Sequence, residues 1–153
     1  MNRCECPTDA SLGCLTNLSA MAARHFLTRQ LSLHGIDMTI EQFKVMVVLW
    51  KEGSSTQQNI ADFVGKDKTS VTRLIAGLEK RSLIQRKTDC QDKRCNLVTL
   101  TPQGVDLEKP TMEVLEKATL FLHSGIDPQE LAITLRVLKQ MCLTLNYSLK
   151  ESE

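Results

Sequence analysis

Thr56-Gln-Gln-Asn-Ile-Ala-Asp-Phe-Val64, a break at Gly65, and then Asp67-Lys-Thr-Ser-Val-Thr-Arg-Leu-Ile-Ala-Gly-Leu-Glu-Lys-Arg81 is the stretch on which the fold turns. Its first segment is a short helical pattern that Thr56 caps. Its second is a longer helix that Asp67 caps, with Val71, Leu74, Ile75 and Leu78 on one side and hydroxyls and cations on the other. Two strand-like runs come next, over residues 83–88 and 96–100, joined by the charged tip Asp89-Cys90-Gln91-Asp92-Lys93-Arg94-Cys95. Helix, turn, helix and hairpin in this order predict a winged helix-turn-helix, in which the second helix enters the major groove of DNA.

Working outward, the rest of the chain reads as helix. A first helix is expected over about residues 15–33, stopping near Gly35. Thr39-Ile40-Glu41-Gln42 fits a capping box and opens a second helix, apolar over residues 43–50, which Gly53 ends. Thr101 and Pro102 restart helix with a hydroxyl cap and a proline at the first position, and Pro110 is expected to kink or interrupt this fifth helix. Asp127 and Pro128 open the last helix, and Ile126 can staple to Leu131. Leu131, Leu135, Leu138, Cys142, Leu145 and Leu149 then recur in alternating steps of four and three, a seam that needs a facing helix. That seam can face the first helix of the same chain or a second copy, and the dimer is the favoured reading. The expected class is therefore mainly α with a small β-hairpin wing, a winged helix-turn-helix plus a terminal-helix dimerisation region. Residues 1–38 are expected to be a tail and dimerisation helix, 39–104 the DNA-binding domain, and 105–153 the C-terminal dimerisation helices.

A chain of 153 residues with 42% hydrophobic and 4% aromatic content suits one helical, aliphatic core. No apolar run approaches the ~18 residues of a membrane span, and the start lacks a signal-peptide core. A cytoplasmic protein without a membrane partner is expected. The net charge of +1 conceals a gradient. Between Lys66 and Cys95 nine basic residues outnumber four acidic ones, which leaves the remainder of the chain at −4. Clustering of this kind is an electrostatic footprint for phosphate. There is no Gly-rich phosphate loop, no paired catalytic carboxylates and no nucleophile–base arrangement, so an enzyme is not expected, nor a cofactor.

On the second helix of the motif, Thr69, Ser70, Thr72 and Arg73 occupy the turns that read base edges. Arg73 suits guanine, and the threonines combine a hydroxyl with a methyl for thymine. Ser55, Gln57, Lys66 and Lys68 are expected at phosphates, which set register without carrying sequence information. On the wing, Lys93 and Arg94 can reach a narrow minor groove. Asp92 would repel phosphate if free, so it is assigned to bracing an arginine.

The stretch from Asp67 to Ile75, Leu83-Ile-x-Arg86, Asp89-x-x-Asp92-x-Arg94 and Val98-x-Leu100-Thr101-x-x-Gly104 together resemble the MarR family of transcriptional regulators. The likeness covers about residues 56–104, departing at Gly77, where the family commonly has a longer polar residue, and at Ser82, where it commonly has glycine. The resemblance implies a homodimer, with helices from both ends interleaved, bound to a pseudo-palindromic operator. It also implies a regulator, most often a repressor, released by a small-molecule effector or by thiol oxidation. Under it Thr69, Ser70, Thr72 and Arg73 contact bases or phosphates, Arg94 enters the minor groove and Asp92 steadies the wing. It places an effector crevice between the dimerisation and DNA-binding parts, where Met21, Arg24 and His25 are candidate lining residues. The competing reading of His25 is a hydrogen-bonded packing residue.

Six cysteines are more than this core needs. Cys90 and Cys95 flank the wing tip near Lys87, Lys93 and Arg94, where a thiolate is favoured. An oxidation switch and a pair of incidental thiols are both open readings. Cys4, Cys6 and Cys14 supply three thiolates, one short of a closed zinc site, and no spacing selects a fourth ligand, so no metal is assigned. Sensing and a plain N-terminal tail both remain open for them. Cys142 reads as a small buried hydrophobe. The second function class is a winged-helix protein-interaction module without specific DNA binding; steep salt dependence of DNA affinity separates the two.

Overall fold

The computed structural model describes residues 11–88 and 96–145. The elements are α1 (Leu12–Leu33), α2 (Ile40–Glu52), β1 (Ser54–Thr56), α3 (Gln57–Val64), α4 (Lys68–Lys80), β2 (Ile84–Thr88), β3 (Asn96–Leu100), α5 (Pro102–Asp106), α6 (Glu108–His123) and α7 (Pro128–Thr144). The expected winged helix-turn-helix is present, as α3, α4 and the β2–β3 hairpin. Its sheet has three strands in the order β1-β3-β2, all antiparallel. Ser54, Ser55 and Thr56 pair with Thr99, Val98 and Leu97, so β3 has a partner on both edges. The strand β1 was not legible in the sequence, because three residues carry no alternation and the pairing is made by tertiary contact.

Local chemistry sets most helix starts. In the capping box of α2, Thr39 Oγ1 accepts from the Gln42 N–H at 3.2 Å, and Gln42 Oε1 accepts from the Thr39 N–H at 3.1 Å. Thr56 caps α3 through the Asn59 N–H, and Thr101 caps α5 through the Gly104 N–H. Asp127 Oδ1 takes the Gln129 and Glu130 N–H groups at the head of α7. Ser11 caps α1, which therefore begins three residues before the expected start. The expected fifth helix is two. It breaks at Leu107, and Pro110 occupies the first turn of α6, where a missing N–H costs little because that group has no intrahelical partner.

The core sits where α2, α3, α4 and the sheet meet. Val45, Met46, Leu49, Ile60, Val71, Ile75, Leu78 and Val98 have almost no exposure, and Leu31 of α1 and Val114 and Leu115 of α6 join them. The helix α1 lies against α6, with Phe26 and Phe121 stacked at a ring separation of 5.4 Å. No residue of α7 is buried. Among the described residues nothing fully covers the seam: Leu131, Leu138 and Cys142 are half-buried and Leu135 and Leu145 exposed, and Leu149 lies outside the described residues.

The end of α4 explains both departures from the family pattern. Ser82 has φ of +59°, the left-handed residue of a Schellman turn. Its N–H reaches Glu79 O at 2.9 Å, and the Leu83 N–H reaches Leu78 O at 3.1 Å. A side chain there carries a steric cost that glycine avoids. Ser82→Gly is expected to stabilise the fold by about 0.5–1 kcal/mol, read as a higher urea midpoint with unchanged slope. A lower midpoint would contradict the strain. Gly77 serves close approach: a Cβ would stand 2.7 Å from the Nε2 of buried Gln42. Gln42 Oε1 also accepts from Arg81 Nη1 at 3.1 Å, and Arg81 Nη2 pairs with Asp37 at 3.0 Å. One guanidinium therefore ties the C-terminus of α4 to the α1–α2 connection.

Candidate nucleic-acid interface

Helix α4 divides cleanly into two faces. Val71, Ile75 and Leu78 are buried, whereas Lys68, Thr69, Thr72, Arg73, Ala76 and Lys80 are exposed. Thr69, Thr72, Arg73, Ala76 and Lys80 succeed one another at one-, three- and four-residue steps and form one stripe along the helix. Thr69 and Arg73 make no side-chain hydrogen bond or ion pair with a described residue. Ala76 and Lys80 were missed in the sequence, although both sit on the same helical period.

The head of α4 is organised around Asp67. Its Oδ1 accepts from the Ser70 N–H at 2.9 Å and its Oδ2 from the Ser70 hydroxyl at 2.6 Å. These bonds hold the Asp67 carboxyl below the ordinary carboxylate range, the Ser70 hydroxyl contributing most. With the folded value lowered, the cap is fully present above the ordinary carboxylate value. It is lost as the pH falls through the lower folded one. Ser70 has committed its proton to Asp67, so it can only accept from a nucleic acid.

Gln57 is half-buried, and part of its amide is engaged within the fold. Its Nε2 donates to Thr72 Oγ1, joining the first turn of α3 to the second turn of α4. Thr72 Oγ1 in turn donates to Lys68 O at 2.8 Å. Ser55 must be corrected outright: it is 3% exposed in the middle of β1, and its Oγ has no partner among the described residues. Pairing of Ser55 with Val98 turns that side chain into the core, where no phosphate can reach it.

The charge footprint also divides into structural and available groups. Arg81 is held by Asp37, and Arg86 lies 3.8 Å from Glu79. Lys66, Lys68, Arg73, Lys80 and Lys87 make no ion pair with a described residue. Four of these five lie on α4 or the turn before it, and Lys66 and Lys68 stand at the head of that helix, where its dipole is positive and adds to their pull on an anion. The wing residues Lys93, Arg94 and Asp92, and the thiols Cys90 and Cys95, lie outside the described residues, as do Cys4 and Cys6. Cys14 is half-buried near the start of α1 and Cys142 half-buried on α7. Among the described residues, no three His, Cys, Asp or Glu side chains gather as metal ligands.

Arg24 and His25 line an open cleft of about 470 Å³ with Thr28, Arg29, Ser32, Thr39 and Glu41. Arg24 Nε pairs there with Glu41 at 3.2 Å. Met21 does not line it; it is 46% exposed, nearer the head of α1. A second, apolar cleft of about 450 Å³ lies between α1, α2 and α6, lined by Leu27, Ile40, Phe43, Met112, Leu115, Glu116, Thr119 and Leu120. The sequence did not show it, since its walls come from three helices brought together only by the fold.

A three-stranded wing, a capped helix with one apolar and one cationic-hydroxylic face, and a shorter helix packed against it define a winged helix-turn-helix protein. Residues 38–96 match the model of the MarR family. The organic hydroperoxide resistance transcriptional regulator of Bacillus subtilis is 24% identical over 82 residues, 54% of this chain and 56% of that one. The match thus spans little more than half the length of that relative. A mutant of MarR from E. coli, solved in complex with operator DNA, superimposes with a TM-score of 0.78 at 24% identity, over 85% of this chain and 92% of that one. BpsR of Bordetella bronchiseptica, solved to explain regulation of its DNA binding by 6-hydroxynicotinic acid, gives 0.76 at 24% identity over 86% and 92%. These likenesses show that the chain has the winged helix-turn-helix fold of those proteins. No helix among the described residues is long and apolar enough to cross a membrane.

Proposed function

We propose that the protein is a sequence-specific DNA-binding transcriptional regulator, a repressor in the usual sense of its family, acting as a homodimer on an inverted-repeat operator. The observation that carries the reading is the exposed stripe of α4, where Thr69, Thr72 and Arg73 are flanked by Lys66, Lys68 and Lys80 and backed by a core face. The complex of the E. coli homologue with operator DNA supports it. The uncovered apolar surfaces of α1 and α7 support the dimer: Leu12, Leu15, Leu18 and Met21 on the one and Ile133, Leu135, Val137 and Leu143 on the other are all more than two-fifths exposed. The ligand control named for BpsR supports release by a small molecule. In this chain the clefts beside α1 are where such a molecule has room.

The roles within the stripe are separable by salt. Each phosphate neutralised by a lysine contributes close to one unit to the slope of log affinity against log salt, ~0.9 for duplex DNA. Lys68→Ala is therefore expected to weaken binding evenly across sequences and to flatten the slope by about 2 for a dimer, one lysine from each copy. Arg73→Ala is expected to relax base preference at one position per half-site, at a cost of about 1–3 kcal/mol, with the larger part of the salt slope kept. Electrophoretic mobility shifts on selected and scrambled duplexes across a salt series measure both. Equal affinity for both duplexes at every salt concentration would contradict specific binding.

A further inference from the structure

Thr72 is the most constrained side chain on the exposed face of α4. A threonine hydroxyl has one proton and two lone pairs. Here the proton goes to Lys68 O, and one lone pair takes a hydrogen from Gln57 Nε2. Two partners on two different helices fix χ1, and with it the direction of the methyl group. The residue stays exposed, on the same stripe as Thr69 and Arg73. What Thr72 has left to offer a base is its methyl and a crowded lone pair. Gln57, for its part, is not spent: its Oε1 and second amide hydrogen remain, but their direction is set by the bond to Thr72.

From this we infer that Gln57 is a positioning residue for base recognition: by holding the Thr72 hydroxyl it makes position 72 a methyl reader, selective for the 5-methyl of thymine. The inference rests on the DNA-binding reading above and adds to it which chemical feature of a base is read and what enforces that choice. Thr69 and Arg73, whose polar groups bond to no described residue, carry the hydrogen-bonding part of the readout. Thymine differs from cytosine at the groove edge by its methyl as well as by its acceptor. Burying one methyl(ene) stabilises by ~0.8 kcal/mol, about fourfold in affinity. A merely structural Gln57–Thr72 bond would instead contribute to helix packing and leave base preference alone.

The test uses the full chain and the duplex it selects from random DNA, with each thymine replaced in turn by deoxyuridine, which lacks only the methyl. The wild-type protein is expected to lose about fourfold at one thymine per half-site. Thr72→Val removes the hydroxyl but is confined by its own branching to one χ1 well in a helix, where threonine divides between two, so it holds its methyls without Gln57 and is expected to keep that deoxyuridine penalty. Thr72→Ser keeps the hydroxyl and removes the methyl, and is expected to abolish it. Gln57→Glu, equal in size but unable to donate from its carboxylate, and Gln57→Ala should both reduce the penalty below about twofold, since a freed methyl loses most of the ~0.8 kcal/mol contact. Their thermal midpoints should stay close to that of the wild type. A penalty lost in Thr72→Val, or retained in Thr72→Ser or in both Gln57 variants, would overturn the inference. So would a preferred duplex without any deoxyuridine penalty, and that outcome leaves the regulator reading standing. Failure to select any duplex would overturn the regulator reading itself.

Discussion

Gly104→Ala is expected to be among the most destabilising single methyl additions in this chain, at about 3 kcal/mol or more. Gly104 is buried in the first turn of α5, and a Cβ built on it would stand 2.0 Å from the carbonyl oxygen of Leu83 and 3.3 Å from Leu100 Cδ2. The first obstacle is backbone, so no rotamer change can clear it. That backbone is itself fixed, because Thr101 N donates to the same Leu83 oxygen at 3.1 Å and Thr101 Oγ1 to Ser82 O at 2.6 Å. Moving α5 away also pulls Gly104 O from the Trp50 indole N–H, a bond of 2.8 Å that joins α5 to α2. Denaturant unfolding followed by Trp50 fluorescence measures the effect. Trp50→Phe, which removes the indole donor, should cost about 1 kcal/mol for the bond and, followed by circular dichroism, serves as the scale. A Gly104→Ala midpoint equal to that of the wild type would show that the α5 turn yields easily, contrary to the packing described.

The second large effect is expected from Leu135→Glu. None of the 17 residues of α7 is buried by the described residues, and most helical stability in proteins comes from packing an apolar face. Leu135 is 49% exposed and lies in the middle of the seam, with Leu131 and Leu138 one turn to either side. A two-fold partner would cover that seam, and a charge placed there would be buried once from each copy. At ~2 kcal/mol or more per unpaired charge, the dimer should loosen by at least about a thousandfold. Sedimentation at micromolar concentration should then find single chains, and operator affinity should fall to that of one half-site. Retention of the dimer by Leu135→Glu would place the interface elsewhere.

What the sequence disclosed and what it withheld divide along sequence separation. The caps Thr39, Thr56, Asp67, Thr101 and Asp127 act on N–H groups two or three residues on, so a single chain segment holds all the information. The apolar stripe of α4 was equally plain, because its period is local, and the cationic hydroxylic face came with it as the remainder. Ser55 was misplaced because its burial depends on Val98, 43 positions later in β3. Gln57 was read as a phosphate donor because nothing at its own position announces Thr72, which the turn at Gly65 brings within reach. Gly77 read only as a departure from the family pattern, because the Gln42 side chain beside it comes from a distant helix. The apolar cleft between α1, α2 and α6 lay wholly beyond reach, since only tertiary packing brings its three walls together.

Two copies that present their α4 stripes to one duplex would engage paired half-sites together. Selection of bound sequences from random DNA, with the mass of the resulting complex, tests it most directly. The account predicts inverted half-sites about one helical repeat apart, ~34 Å between centres, occupied by two chains. Enrichment of an unrepeated motif held by one chain, or no enrichment at all, would contradict it.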